Sequence, residues 1–349
     1  MRILVNTPRL IPQGGVANHY LGLQDYWTEQ VCYNPIGKKG SKSGTGIYRL
    51  PLNILVFIFK IFKYRPDVVL LNPSLSKSAV IRDMIFLSIT KLMGCRVVVF
   101  FHGFDKSEIS KMNTKSLARR LNRCKCIFVL AKEFANILKS WGVTVPIELT
   151  TTKVDDKLIE SFDIRSRIGE IETILFLARI TEEKGVFIAL DAFQKLKVKY
   201  PQLKMRVVGD GPALEKAKRR CLSIGIDDVT FLGALSGNRL VEEYKHSDLY
   251  LFPTFHSEGM PTSVLEAMAF GLPVVTRPVG GVCDFFRNGD MGMLVDSLNP
   301  EDFAAAVEYI MEDKKRIEKM SHINYEYAIN HFLASRVAKQ IENILRKNL

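Results

Sequence analysis

No stretch of the 349 residues stays apolar for the ~20 positions that a membrane-crossing helix needs. No repeat of solenoid length and no low-complexity tract interrupts the chain. Cysteine is sparse: Cys32, Cys95, Cys124, Cys126, Cys221 and Cys283 do not form a disulfide framework. Cys124 and Cys126 are spaced too closely for a zinc pair, and no histidine cluster accompanies them. There is no Asp-x-Asp pair to hold a metal on a phosphorylated ligand. Asp155-Asp156 and Asp227-Asp228 are adjacent, so their side chains tend to point apart, and no metal requirement is expected. No Gly-x-Gly-x-x-Gly opens the first helix, which argues against a dinucleotide-dependent dehydrogenase. Helix-turn-helix, zinc-finger and RNA-recognition motifs are missing too, and aromatic residues are not interleaved with a basic patch. No nucleic-acid partner is expected. Met1-Arg2 leads straight into a strand without a leader, which suggests a cytosolic location.

What is present is an alternation of strands and helices, the pattern of α/β folds with parallel sheets. With ~100–200 residues per domain as a prior, this length suggests two domains. Apolar residues make up 47% of the chain, enough for two cores. Strands are expected at Arg2–Asn6, Val68–Leu71, Arg96–Phe101 and Cys126–Leu130, then at Ile174–Leu177, Met205–Val208, Thr230–Gly233, Leu249–Phe252 and Val274–Thr276. Thr150 to Gly169 is polar and lacks a clear period, so it reads as a hinge. The expected division is 1–165, 166–325 and a terminal segment 326–349 that is helical from His331.

Charge is divided unevenly. Residues 1–165 carry 25 basic and 12 acidic side chains, a net +13, while the remainder is close to neutral at −1. Lys111, Lys115, Arg119 and Arg123 recur every fourth residue and should line one helix face, widened by Arg120 and Lys125. Such a domain suits an anionic membrane surface or a phosphorylated acceptor. Pro51–Tyr64 (PLNILVFIFKIFKY) is too short to span a bilayer. It fits either a helix lying in the membrane interface or a crossover helix packed on the first sheet.

The most informative segment is HSEGMPTSVLEAMAFGLPVVTRPVGG, from His256 to Gly281. A strand at Leu249–Phe252 ends at Pro253, and a loop follows with Glu258, Gly259, Met260 and Pro261. A helix then runs from about Thr262 to Phe270, and Gly271 and Pro273 stop it. Glu258 and Glu266 flank the start of that helix. Carboxylates accept hydroxyl hydrogen bonds strongly, and a helix N-terminus attracts an anion. A ligand with both sugar hydroxyls and phosphates matches that pairing. The plainer alternative is that Ser263 and Glu266 form a capping box.

Glu258, seven residues, Glu266 and then Ala-Met-Ala-x-Gly-x-Pro-Val-Val resembles the signature of retaining group 1 glycosyltransferases, family 4. The resemblance implies a GT-B fold: two Rossmann-like domains facing each other across a cleft, with a C-terminal helix returning to the N-terminal domain. It implies that Arg179 and Lys184, beside a helix beginning near Gly185, bind the donor diphosphate, as their charge and position also suggest. Glu258 would hold donor-sugar hydroxyls, assisted by backbone N–H groups after Gly259, over Met260, Pro261 and Thr262. Glu266 would hold the ribose. The turns at Gly209-Asp210-Gly211 and Gly233 resemble loops near the base, and His102, after the third expected strand, resembles a histidine that approaches the donor sugar. Gly14-Gly15 offers backbone N–H groups to phosphate or acceptor, and Asp105 could orient acceptor hydroxyls.

The function implied is transfer of a hexosyl group from a UDP- or GDP-linked donor, with retention and without metal or other cofactor, to a glycan or lipid-linked acceptor. The setting implied is polysaccharide biosynthesis at the cytosolic membrane face. The alternatives are a non-catalytic subunit that binds nucleotide sugars, or another enzyme of the same fold such as an epimerase or a phosphorylase.

Overall fold

The computed structural model describes residues 1–11, 14–36, 50–73, 77–103, 112–167 and 169–349. They form two compact units. The first comprises Met1–Lys153, Ser257–Met260 and Ala334–Leu349; the second comprises Val154–His256 and Pro261–Leu333.

In the first unit the order is β1 (Arg2–Pro8), α1 (Gly15–Leu23), β2 (Gln30–Ile36), α2 (Leu50–Tyr64), β3 (Val68–Leu71) and α3 (Lys77–Leu92). There follow β4 (Arg96–Phe101), α4 (Thr114–Leu121), β5 (Cys126–Val129), α5 (Lys132–Ser140) and β6 (Ile147–Leu149). The sheet is parallel throughout, in the order β2-β1-β3-β4-β5-β6. Its central strands are apolar at nearly every position because both faces are covered. Leu4, Val69, Val97, Val99 and Ile127 face Phe57, Met84, Leu117 and Phe134 of the crossover helices. Ile3, Val5, Leu70, Val98 and Phe128 face the other way, onto Tyr20 and Leu23 of α1 and Val337, Ile341 and Leu345 near the end of the chain.

The second unit begins with a short helix, α6 (Asp156–Ile159), capped by the Asp155 carboxylate, which accepts from the Lys157 N–H at 3.1 Å. The segment read as a hinge contains this helix and a 3-10 turn at Ile164–Ser166. Then come β7 (Thr173–Leu177), α7 (Val186–Lys199), β8 (Lys204–Val208), α8 (Leu214–Ser223), β9 (Val229–Gly233), α9 (Asn238–Lys245) and β10 (Leu249–Phe252). They are followed by α10 (Thr262–Ala269), β11 (Val274–Thr276), α11 (Val282–Phe285), β12 (Gly292–Leu294), α12 (Pro300–Met311) and α13 (Lys314–His331). This sheet is also parallel, ordered β12-β11-β10-β7-β8-β9. Arg167 ties its helices together. Its guanidinium donates to the carbonyls of Tyr244 (2.7 Å) and Ser247 beside the C-terminus of α9, and of Phe270 (2.8 Å) beside that of α10. Burial pushes its pKa down to about 10, which leaves it charged at neutral pH and suited to the negative ends of two helix dipoles.

Two expectations change in detail. The basic row on one helix shrinks, because α4 covers only Thr114–Leu121. Asn113 caps it, accepting from the Ser116 N–H at 3.0 Å, and Leu117, Ala118 and Leu121 face the core. Lys115, Arg119 and Arg120 are exposed on α4, Arg123 and Lys125 are exposed beyond its end, and Lys111 lies outside the described residues. Helix α2 is a crossover helix packed on the first sheet, and it leaves one apolar face uncovered. Phe57 and Ile61 pack on the sheet, whereas Leu52, Leu55, Val56, Phe59 and Phe62 form an exposed apolar stripe, with Phe62 69% exposed.

The final helix, α14 (Ala334–Asn348), belongs to the first unit. Its Glu342 is only 1% exposed and accepts from the Thr28 N–H (2.7 Å), the Thr28 hydroxyl (2.5 Å) and the Glu29 N–H (2.9 Å). Truncation would leave two backbone donors without that acceptor. Glu342→Ala is expected to destabilise the protein by about 2–4 kcal/mol in urea unfolding. A loss below about 0.5 kcal/mol, the range of ordinary surface substitutions, would mean that solvent reaches these donors.

Candidate functional site

Counted from β9, the second sheet reads 3-2-1-4-5-6 in order of appearance, so its strand order reverses between β7 and β10. Ligands of open parallel sheets bind beyond the strand carboxyl ends at such a point. The loop leaving β7 carries Arg179, which is exposed, and continues to a 3-10 turn, Glu182–Lys184, before α7. The chain leaving β10 folds onto that turn. The backbone N–H groups of Phe255 (2.8 Å) and His256 (3.0 Å) and the Thr254 hydroxyl (3.1 Å) all donate to the Glu183 carbonyl. Lys184, half-buried, has its Nζ 5.9 Å from the centre of the Phe252 ring.

The glycine turns join the same edge. Ala178 N–H donates to the Val208 carbonyl (3.1 Å), Ile180 N–H to that of Asp210 (3.0 Å), and Gly209 N–H to that of Gly233 (2.8 Å). At Gly209 φ is +139°, and a Cβ there would lie 1.8 Å from the Ala178 carbonyl oxygen, so only glycine allows this approach. Gly211 packs in the same way on the Ile180 backbone. The structure therefore brings Arg179, Lys184, Gly209, Gly211 and Gly233 to neighbouring loops of one sheet edge.

The capping-box reading of α10 does not hold. The helix starts at Thr262 after Pro261 with no side-chain cap, because both side chains of the pattern are engaged elsewhere. Tyr244 donates its hydroxyl to Glu266 Oε2 at 2.8 Å. The Tyr250 oxygen lies 2.8 Å from the Leu177 carbonyl and 2.7 Å from Ser263 Oγ. The carbonyl can only accept, so Tyr250 gives it its single proton and receives that of Ser263. Tyr244 is fully buried and stacked on Phe270, with ring centroids 5.0 Å apart. Burial, then the neighbouring Glu266 carboxylate, raises its pKa well above the usual tyrosine value, so it remains a donor. No sequence motif singled out Tyr244; it lies on α9 and Glu266 on α10, with β10 between them, so the pair leaves no spacing signal.

Glu258, Gly259 and Met260 belong to the first unit, unlike Pro261, Thr262 and Glu266. Met260 packs against the core that includes Leu130, and Glu258 is half-buried. Gly259 is needed for close approach: a Cβ there would stand 2.0 Å from the His102 carbonyl oxygen. His102 follows β4 and stacks on Phe100 at 3.8 Å. Burial, and then His19, holds its pKa well below the ordinary histidine value. Gly14 precedes α1 with φ 101°, and its carbonyl accepts from the Asn18 N–H at 3.1 Å, so Gly14-Gly15 sits at the helix start. Asp105 lies outside the described residues.

His19 was not anticipated. It is 1% exposed, edge-on to Tyr20, Phe100 and His102, and neither ring nitrogen has a hydrogen-bond partner among the described residues. Burial, reinforced by the positive charge of Lys153, lowers its pKa to about 3.

None of the six cysteines is in a disulfide. Among the described residues no three His, Cys, Asp or Glu side chains are grouped to hold a metal ion, and no helix is long and apolar enough to cross a membrane.

Residues 160–327 match the family model of glycosyl transferases group 1. An exopolysaccharide phosphotransferase of Streptomyces coelicolor is 28% identical over 193 residues, covering 55% of this chain and 20% of that protein. A GDP-mannose-dependent alpha-(1-6)-phosphatidylinositol monomannoside mannosyltransferase of Mycolicibacterium smegmatis is 22% identical over 253 residues, covering 68% of this chain and 66% of that protein. The chain thus spans from a fifth to just under two thirds of the length of these relatives. Anabaena HepE, solved in complex with UDP and glucose, superposes with a TM-score of 0.76 at 16% identity, covering 99% of this chain and 100% of that one. The fold is therefore the two-sheet α/β GT-B architecture.

The His19 ring gives a pH signature. Folded, it refuses a proton until about pH 3, whereas the unfolded chain takes one near 6.5. The unfolded state thus gains a proton first as pH falls, and stability drops by about 1.4 kcal/mol per pH unit below 6.5. Between pH 7.5 and 5.5, wild type should lose about 1.4 kcal/mol more than His19→Gln in urea unfolding. Equal losses in the two proteins would show that the ring titrates normally.

Proposed function

We propose that this chain is a retaining glycosyltransferase that moves a hexosyl group from a UDP- or GDP-linked donor to a hydroxyl of a glycan or glycolipid acceptor. The observation that carries the reading is the convergence of Arg179, Lys184, the uncapped start of α10 and Glu266 around the strand reversal of the second sheet, within the segment that matches group 1. The binding of UDP and glucose by HepE and the GDP-mannose dependence of the mycobacterial relative support a nucleotide-sugar donor.

In this reading the Arg179 fork and the Lys184 ammonium face the diphosphate, and the N-terminus of α10 adds unpaired N–H groups and a positive dipole end. As the anomeric carbon–oxygen bond breaks, negative charge grows on the leaving phosphate and positive charge on the sugar ring. Fixed cations stabilise the former without reorganising, which is where the rate enhancement arises. Glu266 accepts ribose hydroxyls with its orientation set by Tyr244. The sugar-holding roles of Glu258, Gly259, Met260, Pro261, Thr262 and His102 are those that the resemblance of the motif implies. The departing phosphate oxygen takes the acceptor proton on the face it leaves, which retains the anomeric configuration. Neither metal nor cofactor has a part in this scheme.

We also assign the acceptor side to a membrane surface at the cytosolic face. The exposed stripe of α2 and the net +13 of residues 1–165 together fit an anionic bilayer, where apolar side chains insert and basic ones meet headgroups. The exopolysaccharide and phosphatidylinositol relatives support an acceptor for surface glycan or glycolipid synthesis.

Two measurements test these assignments. UDP or GDP release from a panel of nucleotide sugars should single out one donor, with Arg179→Ala and Glu258→Ala each lowering kcat/KM by about 10²–10³. Tight donor binding without any turnover, even when acceptors are supplied, would instead favour a non-catalytic binding subunit. In vesicle sedimentation, replacing Phe59 and Phe62 by Ser should weaken partitioning onto anionic lipid at least about tenfold, from ~1.5–3 kcal/mol per buried ring. Unchanged partitioning would remove α2 from the membrane contact.

A further inference from the structure

The first sheet also reverses its strand order, between β1 and β3, and a polar network occupies the carboxyl ends there. Asn72, just beyond β3, is 5% exposed. Its amide nitrogen donates to the Asn6 backbone carbonyl at 3.0 Å. Its Oδ1 accepts from the Tyr20 hydroxyl at 2.7 Å and stands 2.9 Å from His102 Nε2. These contacts leave one consistent assignment of protons. A backbone carbonyl can only accept, so the nitrogen of Asn72 must face Asn6 and its oxygen must face Tyr20 and His102. An amide oxygen can only accept as well, so His102 Nε2 carries the hydrogen. In a neutral ring Nδ1 is then the lone-pair nitrogen. The surroundings keep the ring neutral: Phe100 stacks on it, and His19 and Tyr20 meet it edge-on.

We infer that Asn72 is a positioning residue that locks His102 in the Nε2–H tautomer, so that the site presents Nδ1 as a hydrogen-bond acceptor and selects a ligand hydroxyl that donates. His102 is half-buried, and the Gly259 backbone lies against its carbonyl, which puts Glu258 in the adjoining loop. An acceptor at Nδ1 favours a sugar with a free hydroxyl over one with a fluoro, O-methyl or deoxy group at the same position. That choice of ligand rests on the glycosyltransferase reading; the tautomer does not.

The test begins with the protein alone. A long-range imidazole 15N–1H spectrum has only six histidines to resolve, and His102→Gln assigns the relevant one. The expected pattern is a proton on Nε2 and none on Nδ1. In Asn72→Asp a carboxylate faces the ring, so both nitrogens should become protonated. Tyr20→Phe keeps the Asn72–His102 contact and should preserve the wild-type pattern, which separates this role from general packing. A proton on Nδ1 in wild type, or an unaltered His102 pattern in a folded Asn72 variant, overturns the inference.

The second arm uses nucleotide sugars with one hydroxyl replaced by fluorine, which accepts but does not donate. At one ring position the wild type should lose about tenfold in kcat/KM, the worth of one hydrogen bond. His102→Ala should not discriminate at that position. Equal use of every fluorinated donor by wild type overturns the selection of a hydroxyl. If the spectrum is as expected and no nucleotide sugar is turned over or bound, the positioning role of Asn72 stands and the glycosyltransferase reading fails.

Discussion

Every paired strand in both sheets runs in the same direction, and the site follows from that constraint. Parallel pairing sends each connection back across a face and leaves all strand carboxyl ends at one edge. Where strand order reverses, adjacent connections leave on opposite faces and a crevice opens. In the second sheet that crevice is bordered by the exits of β7 and β10, and a single carbonyl, that of Glu183, binds one exit to the other through three donors. In the first sheet the equivalent place is held by Asn72, whose amide bridges β1 to the residue after β4.

Much of this was legible in the sequence, and the gaps have physical causes. Central strands such as Val68–Leu71 and Cys126–Val129 announce themselves because burial on both faces demands unbroken apolar runs. The strands that gave no such signal, β2, β6 and β12, are all at sheet edges. There one side of the strand has no neighbour, so polar residues and Pro35 are tolerated. The strand-end loops around Arg179, Gly209 and Glu258 could be located because strands, turn residues and helix starts follow one another closely along the chain.

The side chains that orient the loop residues could not be found in that way. Tyr244 reaches Glu266 from a different helix, and Asn72 reaches His102 across a whole βαβ connection. Such partners leave no fixed spacing. Ser263 and Glu266 show the converse: a spacing with a familiar local meaning yields to tertiary partners, because Tyr250 and Tyr244 are buried alongside and their hydroxyls need partners.

The dispersed composition of the first unit bears on how the chain comes to be folded. One face of its sheet is covered in part by α14, whose residues follow the entire second unit in the chain. During synthesis, then, Val98, Phe100 and Phe128 present an incompletely covered apolar surface until the last helix has left the ribosome. The second unit, Val154–His256 and Pro261–Leu333, takes no segment from beyond Leu333. Chaperone demand should therefore fall on the half that emerges first.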